Sequence, residues 1–119
     1  MQPLRTHVAG VDVHKEVLAI TVLRGGLDSD PEVIQFECNT FTEDLMACGQ
    51  KLLEFGVREV AMEATGVFWR PIHNVWSPMG LKLTIGQAAH IKNVPGRKTD
   101  MNDSHWIAQL HRFGLIKAS

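Results

Sequence analysis

The sequence lacks the features of several protein classes, and each absence narrows the function. No apolar run approaches the roughly 20 residues that a membrane helix needs. The best run, from Val17 to Leu23, contains Thr21 and ends at Arg24. The N-terminus has no apolar segment of the kind found in signal peptides. Lys and Arg total 12 against 13 Asp and Glu, so the net charge of −1 excludes a polybasic chain. We therefore expect a cytoplasmic chain that does not enter a membrane, with any nucleic-acid contact coming from a local basic patch.

Motifs for zinc, nucleotides and thiol catalysis are also missing. Cys38 and Cys48 are too few and too widely spaced for a zinc knuckle or a disulfide framework. They are interpreted as small buried hydrophobic residues of a reduced chain, without the context of a catalytic nucleophile. The histidines show neither HExxH nor Cys/His spacing, and there is no glycine-rich phosphate loop. What remains is an ordinary mixture of 45 % apolar and 21 % charged residues over 119 positions, which predicts a single domain spanning residues 1–119.

The hydrophobic pattern alternates between strands and helices. Three short strands come first and, because their links are short, they must form an antiparallel meander. A fourth strand follows a helix and is therefore expected to run parallel to the first. The predicted strands are His7–Val13, Val17–Arg24, Glu32–Phe36, Arg58–Glu63 and Leu81–Ile85, and the predicted helices are Thr42–Phe55 with Thr42 as its N-cap, Phe68–Met79 and Asp100–Phe113. This order predicts an RNase H-like fold: a mixed five-stranded sheet, three antiparallel strands then two parallel, flanked by helices.

Four acidic residues carry most of the functional information. Asp12 lies inside the first strand. Burying an unpaired carboxylate there would destabilise the fold by several kcal/mol, on the order of the desolvation penalty of a buried ion. Glu63 ends the fourth strand, at the edge where α/β sheets place ligands. Asp100 and Asp103 are three residues apart at the predicted start of the last helix. Four converging carboxylates repel one another unless cations lie between them, and oxygen-only ligands suit Mg²⁺ or Mn²⁺. The pattern is typical of metal-dependent phosphodiester chemistry.

Structural explanations exist for most of these acids. Asp100 and Asp103 are also what a helix N-terminus looks like, with Asp100 as the cap and Asp103 favoured by the helix dipole. Glu63 alone is compatible with a solvent-facing strand end. Asp12 is the hardest to explain in this way, because an Asp in the middle of a strand is disfavoured both by propensity and by burial.

A basic segment leads directly into Asp100. Residues 86–99 are predicted to form a 14-residue connection that carries Lys92, Arg97 and Lys98. Connections of this length are usually functional. Taken alone, the segment could equally be solvated surface. Next to a metal cluster, contact with the phosphate backbone of a nucleic acid is the better interpretation.

Three motifs carry a resemblance to a known family. They are Gly10-Val-Asp-Val-His-Lys15, Met62-Glu-Ala-Thr-Gly66 followed by Phe68-Trp69, and Asn93-Val-Pro-Gly-Arg-Lys-Thr-Asp-Met-Asn-Asp103. In this order and spacing they resemble the N-terminal, RuvC-like domain of the DEDD transposases. This insertion-sequence one-ten family also includes the pilin-gene invertases. The resemblance implies that Asp12, Glu63, Asp100 and Asp103 are the family's four Mg²⁺-binding acids. Ser104 stands where alanine is common in the family.

The resemblance also implies partners. Family members continue into a helical region and a C-terminal domain with a catalytic serine, and that serine domain is absent from these 119 residues. They act on DNA as oligomers, some with a guide RNA from the element. Two other function classes remain open: a non-catalytic nucleic-acid or oligomerisation module with structural acids, and an actin-like phosphotransferase. The latter needs a glycine-rich turn after its strand Asp, whereas Val13, His14 and Lys15 follow Asp12 here.

Overall fold

The computed structural model describes residues 2–64, 66 and 68–118. Its strands are β1 (His7–Val13), β2 (Val17–Arg24), β3 (Glu32–Asn39), β4 (Glu59–Ala64) and β5 (Lys82–Gln87). Its helices are α1 (Thr42–Glu54), α2 (Trp69–Trp76), continued by a 3-10 turn at Ser77–Met79, α3 (Ala88–Asn93) and α4 (Asp103–Arg112). The turn predicted at Thr65 and Gly66 is described only at Gly66, and Thr65 and Ser119 lie outside the described residues.

The five strands form one mixed sheet in the order β3-β2-β1-β4-β5. β1 pairs antiparallel with β2, and β2 pairs antiparallel with β3. β4 runs parallel to β1 because α1 carries the chain back across the sheet before it begins, and β5 is in turn parallel to β4. The predicted fold class is confirmed, including the change from antiparallel to parallel strands at β1.

Helices cover both faces of the sheet. The larger core lies between the sheet and α1 with α2, where Leu45, Leu52, Ile72 and Trp76 are almost fully buried. The second core lies on the opposite face and is built from α4 and α3 against β4. Successive side chains of β1 point to opposite faces of the sheet and so to different cores. Val11 belongs to the first core, while its neighbours Gly10 and Asp12 face α4.

The close packing of α4 depends on a glycine in β1. A Cβ atom on Gly10 would lie 2.3 Å from the backbone nitrogen of Ala108 and 2.3 Å from the carbonyl oxygen of Ser104. The helix backbone therefore rests directly on β1, which only glycine permits. Because Ser104 belongs to the first turn of α4, this contact fixes the start of the helix close to the carboxyl end of β1.

Two predicted boundaries around the basic segment were wrong. Residues 86–99 are not one long connection, because β5 continues to Gln87 and α3 occupies Ala88–Asn93. The last helix begins at Asp103 rather than at Asp100, since the side chain of Asn102 accepts a hydrogen bond from the His105 amide at 2.9 Å and caps the helix. Asp100 thus precedes α4, and the predicted helical spacing between Asp100 and Asp103 does not occur.

Smaller differences concern element ends. β3 extends to Asn39, three residues beyond the prediction, because its whole length pairs with β2. The N-cap of α1 is Phe41, and Thr42 is already the first helical residue. Neither difference moves a candidate site residue.

Candidate active site

Asp12 and Glu63 lie side by side at the carboxyl edge of the sheet. The parallel register pairs Gly10 with Ala61 and Val11 with Met62, and both strands extend at least one residue further. Continuing this register places Asp12 next to Glu63, with backbones about 5 Å apart as in any sheet. Alternation puts both side chains on the face covered by α4. The carboxylate neighbours predicted from the sequence are thus brought together by the crossover that makes β4 parallel to β1.

His14 contacts Asp12. Its Nε2 lies 3.1 Å from Oδ2 of Asp12, and the Asp12 side chain is 21 % exposed while that of His14 is 62 % exposed. His14 was not among the site residues predicted from the sequence. The signal that reveals this contact is the two-residue spacing, because alternate residues of an extended chain share a face. His14 therefore belongs to the candidate site as a partner of its central carboxylate.

Asp103 is held by Arg97 at the start of α4. Nη2 of Arg97 donates to Oδ1 of Asp103 at 2.9 Å and to the carbonyl oxygen of Met101 at 2.8 Å, while its Nε donates to the same carbonyl at 3.2 Å. These three hydrogen bonds from one guanidinium hold the basic segment against the first turn of α4. Arg97, which was predicted to contact nucleic-acid phosphates, binds the Asp103 carboxylate in this structure.

Asp100 lies in the exposed turn before α4. Its carboxylate is close enough to influence His105 on the first turn. Burial lowers the pKa of His105 below the usual value, and the negative charge of Asp100 partly opposes that shift. Asp100 and Asp103 therefore flank the N-terminus of α4 from opposite sides of the cap, and neither is as enclosed as Asp12.

A buried polar network fixes the start of α4 against the sheet. The hydroxyls of Thr21 and Ser104, 0 % and 2 % exposed, lie 2.7 Å apart. Ser104 also donates to the Asn102 side chain at 3.1 Å, and Gln35 on the edge strand donates to Thr21 at 3.0 Å. Sequence patterning gave no indication of this network, because its members come from three elements. It explains a role for serine at position 104: the hydroxyl satisfies Thr21 inside a strand that is otherwise apolar.

The donor chemistry suits a hard divalent cation, although the four acids are not gathered into one cage. Asp12 and Glu63 occupy neighbouring positions on β1 and β4, and Asp103 is the first residue of α4, which packs on the same face of the sheet. Within the described part of the chain, however, no group of three or more His, Cys, Asp or Glu side chains is arranged to hold a metal ion. Asp103 is instead paired with Arg97 through its Oδ1 at 2.9 Å.

The other two predicted basic residues are exposed. Lys92 lies on α3, and Lys98 lies two residues after Gly96, whose φ of 103° requires glycine. Of the three basic residues, Arg97 is the one that contacts an acidic residue, Asp103.

Comparison with known proteins identifies similar sequences and folds. The model of a DEDD transposase family of the IS110 type, described as a transposase, matches residues 9–119. The RuvC structure from Thermus thermophilus is similar with a TM-score of 0.67 and 14 % identity, covering 96 % of this chain and 100 % of that one. RuvC of the same organism in complex with a Holliday junction substrate gives a TM-score of 0.63 and 13 % identity, with 97 % and 100 % coverage. Comparison with curated proteins gives no significant match.

Among the described residues, no helix is long and apolar enough to cross a bilayer.

Proposed function

The chain belongs to the DEDD transposase family of the IS110 type, and from that membership we propose that it is the metal-binding catalytic domain of a DNA transposase or site-specific recombinase. It would act on DNA phosphodiester bonds. The observation that carries the proposal is the pairing of Asp12 with Glu63 beneath the start of α4. Two carboxylates on neighbouring parallel strands, with a third at the start of α4, form a concentration of negative charge that a divalent cation would neutralise.

In this proposal Asp12, Glu63, Asp100 and Asp103 hold Mg²⁺ or Mn²⁺. The bound ion would polarise the phosphodiester and stabilise the charge that develops on its oxygens. Asp12, on a rigid central strand, provides a fixed ligand, and His14 at 3.1 Å orients its Oδ2. Asp103 joins when its ion pair with Arg97 opens. Opening that pair requires little free energy, because it is exposed and surface ion pairs typically stabilise a fold by about 0–1 kcal/mol.

DNA is the proposed substrate. Lys92, Arg97 and Lys98 would contact its phosphates, and an Arg97 released from Asp103 becomes available for that role. Metal binding and phosphate contact are therefore coupled in this proposal through one side chain. RuvC, which shares the fold, is described in complex with a Holliday junction substrate, and this supports DNA as the proposed substrate.

The remaining partners belong to the proposal for the whole protein. Strand joining that conserves bond energy needs a nucleophile held by the protein in a covalent intermediate. We assign that nucleophile to a C-terminal serine domain of the family type, and assign any guide RNA and homo-oligomer to the assembled recombinase. Residues 1–119 alone are then expected to bind metal without joining strands.

A thermal-shift titration with Mn²⁺ tests the proposal. A ligand that binds only the native state at 100 times its Kd stabilises the fold by about 2.7 kcal/mol, which raises the melting temperature by several degrees. Asp12→Asn should abolish most of this shift. It should leave the metal-free chain as stable as before or more stable, since it removes one of two neighbouring carboxylates.

Asp28→Asn is the matched control, because Asp28 is an exposed carboxylate in the turn between β2 and β3. The control should keep the full Mn²⁺ shift. Equal shifts in the unmodified chain and in Asp12→Asn would contradict the metal site and favour a module in which the acids are structural.

A further inference from the structure

The two cysteines lie together on the face of the sheet opposite the acidic residues. Cys38 is on β3 at a half-buried position that alternates with exposed residues and faces α1. Cys48 is on α1, 4 % exposed, and points into the same core. Both side chains line one cleft of about 310 Å³ between the strand and the helix. A separation of ten residues in the sequence is thus closed by the turn between β3 and α1.

The two thiols influence each other's titration. The neighbouring Cys48 thiol lowers the pKa of Cys38, against the opposing effects of burial and of the Asp44 carboxylate. The neighbouring Cys38 thiol, together with burial, raises the pKa of Cys48. The nearby Lys51 ammonium favours the thiolate form at both positions. The pair is therefore asymmetric: the more accessible sulfur is the better nucleophile, and the buried one is a proton donor.

We propose that Cys38 and Cys48 form an oxidisable dithiol site that reacts with hydrogen peroxide and closes to a disulfide joining β3 to α1. The Cys38 thiolate attacks one peroxide oxygen, the O–O bond breaks, and the hydroxide that leaves takes up a proton to become water. Cys38 is then a sulfenic acid. The Cys48 sulfur attacks it, the S–O bond breaks, and a second water leaves with the Cys48 proton. One peroxide is reduced, two thiols are oxidised, and two waters are produced.

The arrangement of the elements favours closure over other fates. Both cysteine side chains line one cleft and belong to one core, so rotation of the side chains brings the two sulfurs towards the S–S bond length of about 2.05 Å. The cleft gives peroxide access to Cys38, while the 4 % exposure of Cys48 hinders its reaction with a second protein molecule. The product joins the edge strand to α1 on the face of the sheet opposite Asp12, and the inference does not depend on the proposed function.

The test is intact-mass analysis of the full chain after hydrogen peroxide, with peptide mapping of alkylated protein. We expect a loss of about 2 Da that corresponds to one disulfide between Cys38 and Cys48. We also expect a monomer, a higher melting temperature than the reduced chain and full reversal by dithiothreitol. Cys48→Ala should instead stop at a dimedone-reactive sulfenic acid on Cys38, and Cys38→Ala should react much more slowly than the unmodified chain.

Several outcomes would overturn the inference. One is an unmodified chain that keeps two alkylatable thiols at peroxide concentrations that oxidise Cys48→Ala. Others are a disulfide-linked dimer as the main product, or a Cys38→Ala variant that reacts as fast as the unmodified chain. The test for a disulfide-linked dimer uses only the unmodified chain, so it holds even where a variant folds poorly.

Discussion

Replacing Gly10 with alanine is expected to push α4 off the sheet. The added Cβ would meet Ala108 N and Ser104 O at 2.3 Å and Ala108 Cα at 2.8 Å, all of them backbone atoms that cannot rotate away. Restoring an ordinary contact at 3.4 Å moves the helix by about 1 Å. Overpacking of this kind typically costs 1–3 kcal/mol, and a backbone obstacle places Gly10→Ala at the upper end, about 3 kcal/mol.

A change in the unfolded state partly offsets this loss of stability. Alanine restricts the unfolded chain more than glycine does, which stabilises a fold by roughly 0.4–1 kcal/mol where the native backbone allows it. The net loss expected for Gly10→Ala is therefore about 2 kcal/mol or more. Urea denaturation at neutral pH measures it directly as a change in the free energy of unfolding.

Two other glycines serve as matched controls. At Gly26 the nearest atom to an added Cβ is the Ser29 hydroxyl at 3.7 Å, so Gly26→Ala should be neutral or slightly stabilising. At Gly49 the closest atoms belong to the flexible end of Met79, at 2.9 Å, so Gly49→Ala should cost less than Gly10→Ala. A Gly10→Ala variant as stable as Gly26→Ala would refute the claim that α4 rests on the β1 backbone.

Three further predictions concern the polar residues of α4 and the basic segment before it. Ser104→Ala removes the 2.7 Å partner of buried Thr21 and should lower the free energy of unfolding by about 1–2 kcal/mol in urea denaturation. The double variant with Thr21→Val should lose less than the sum of the two single variants, since neither hydroxyl is then left unpaired. Burial, with the Arg5 charge as a smaller cause, lowers the pKa of His111 to about 4. Because this pKa lies below the unfolded value of about 6.5, the unfolded state takes up a proton on His111 at a higher pH than the folded state does. The free energy of unfolding is therefore highest above pH 6.5 and falls by about 3 kcal/mol as the pH decreases towards 4. His111→Leu should flatten that part of a stability–pH profile. In DNA-binding titrations against salt, Lys98→Ala should reduce the slope by about one, and an unchanged slope would mean that Lys98 is only solvated surface.

Much of the fold follows from local patterns in the sequence. The apolar, β-branched β1 and β2 and the helical spacing of Leu45 and Leu52 in α1 are strong enough to predict the element order. Element order with short and long links then leaves few topologies. The neighbourhood of Asp12 and Glu63 was predictable for the same reason, because a crossover helix makes β4 parallel to β1.

The start of α4 could not be predicted because tertiary contacts decide it. Asp100, Asn102 and Asp103 are all good N-cap residues by type. Asn102 caps the helix in the structure, since its side chain also accepts from Ser104, which is itself fastened to the sheet. α3 was missed for a different reason: six residues are too few for a helical period to show in a sequence pattern.

Contacts between residues on distant segments could not be predicted from the sequence either. The spacing of Arg97 and Asp103 does not distinguish a contact between them from separate contacts to phosphate, and nothing local indicates that Cys38 and Cys48 face each other across a cleft. Both pairings depend on how one element packs on another. The candidate site could therefore be predicted as a set of residue types, but not as a set of bonds.

A crystal of the protein soaked in Mn²⁺ tests the central claim most directly. The account predicts an anomalous peak between the carboxylates of Asp12 and Glu63, with Asp103 turned towards it and released from Arg97. A crystal that shows no peak there at saturating Mn²⁺, with the 2.9 Å contact between Arg97 and Asp103 intact, would contradict it.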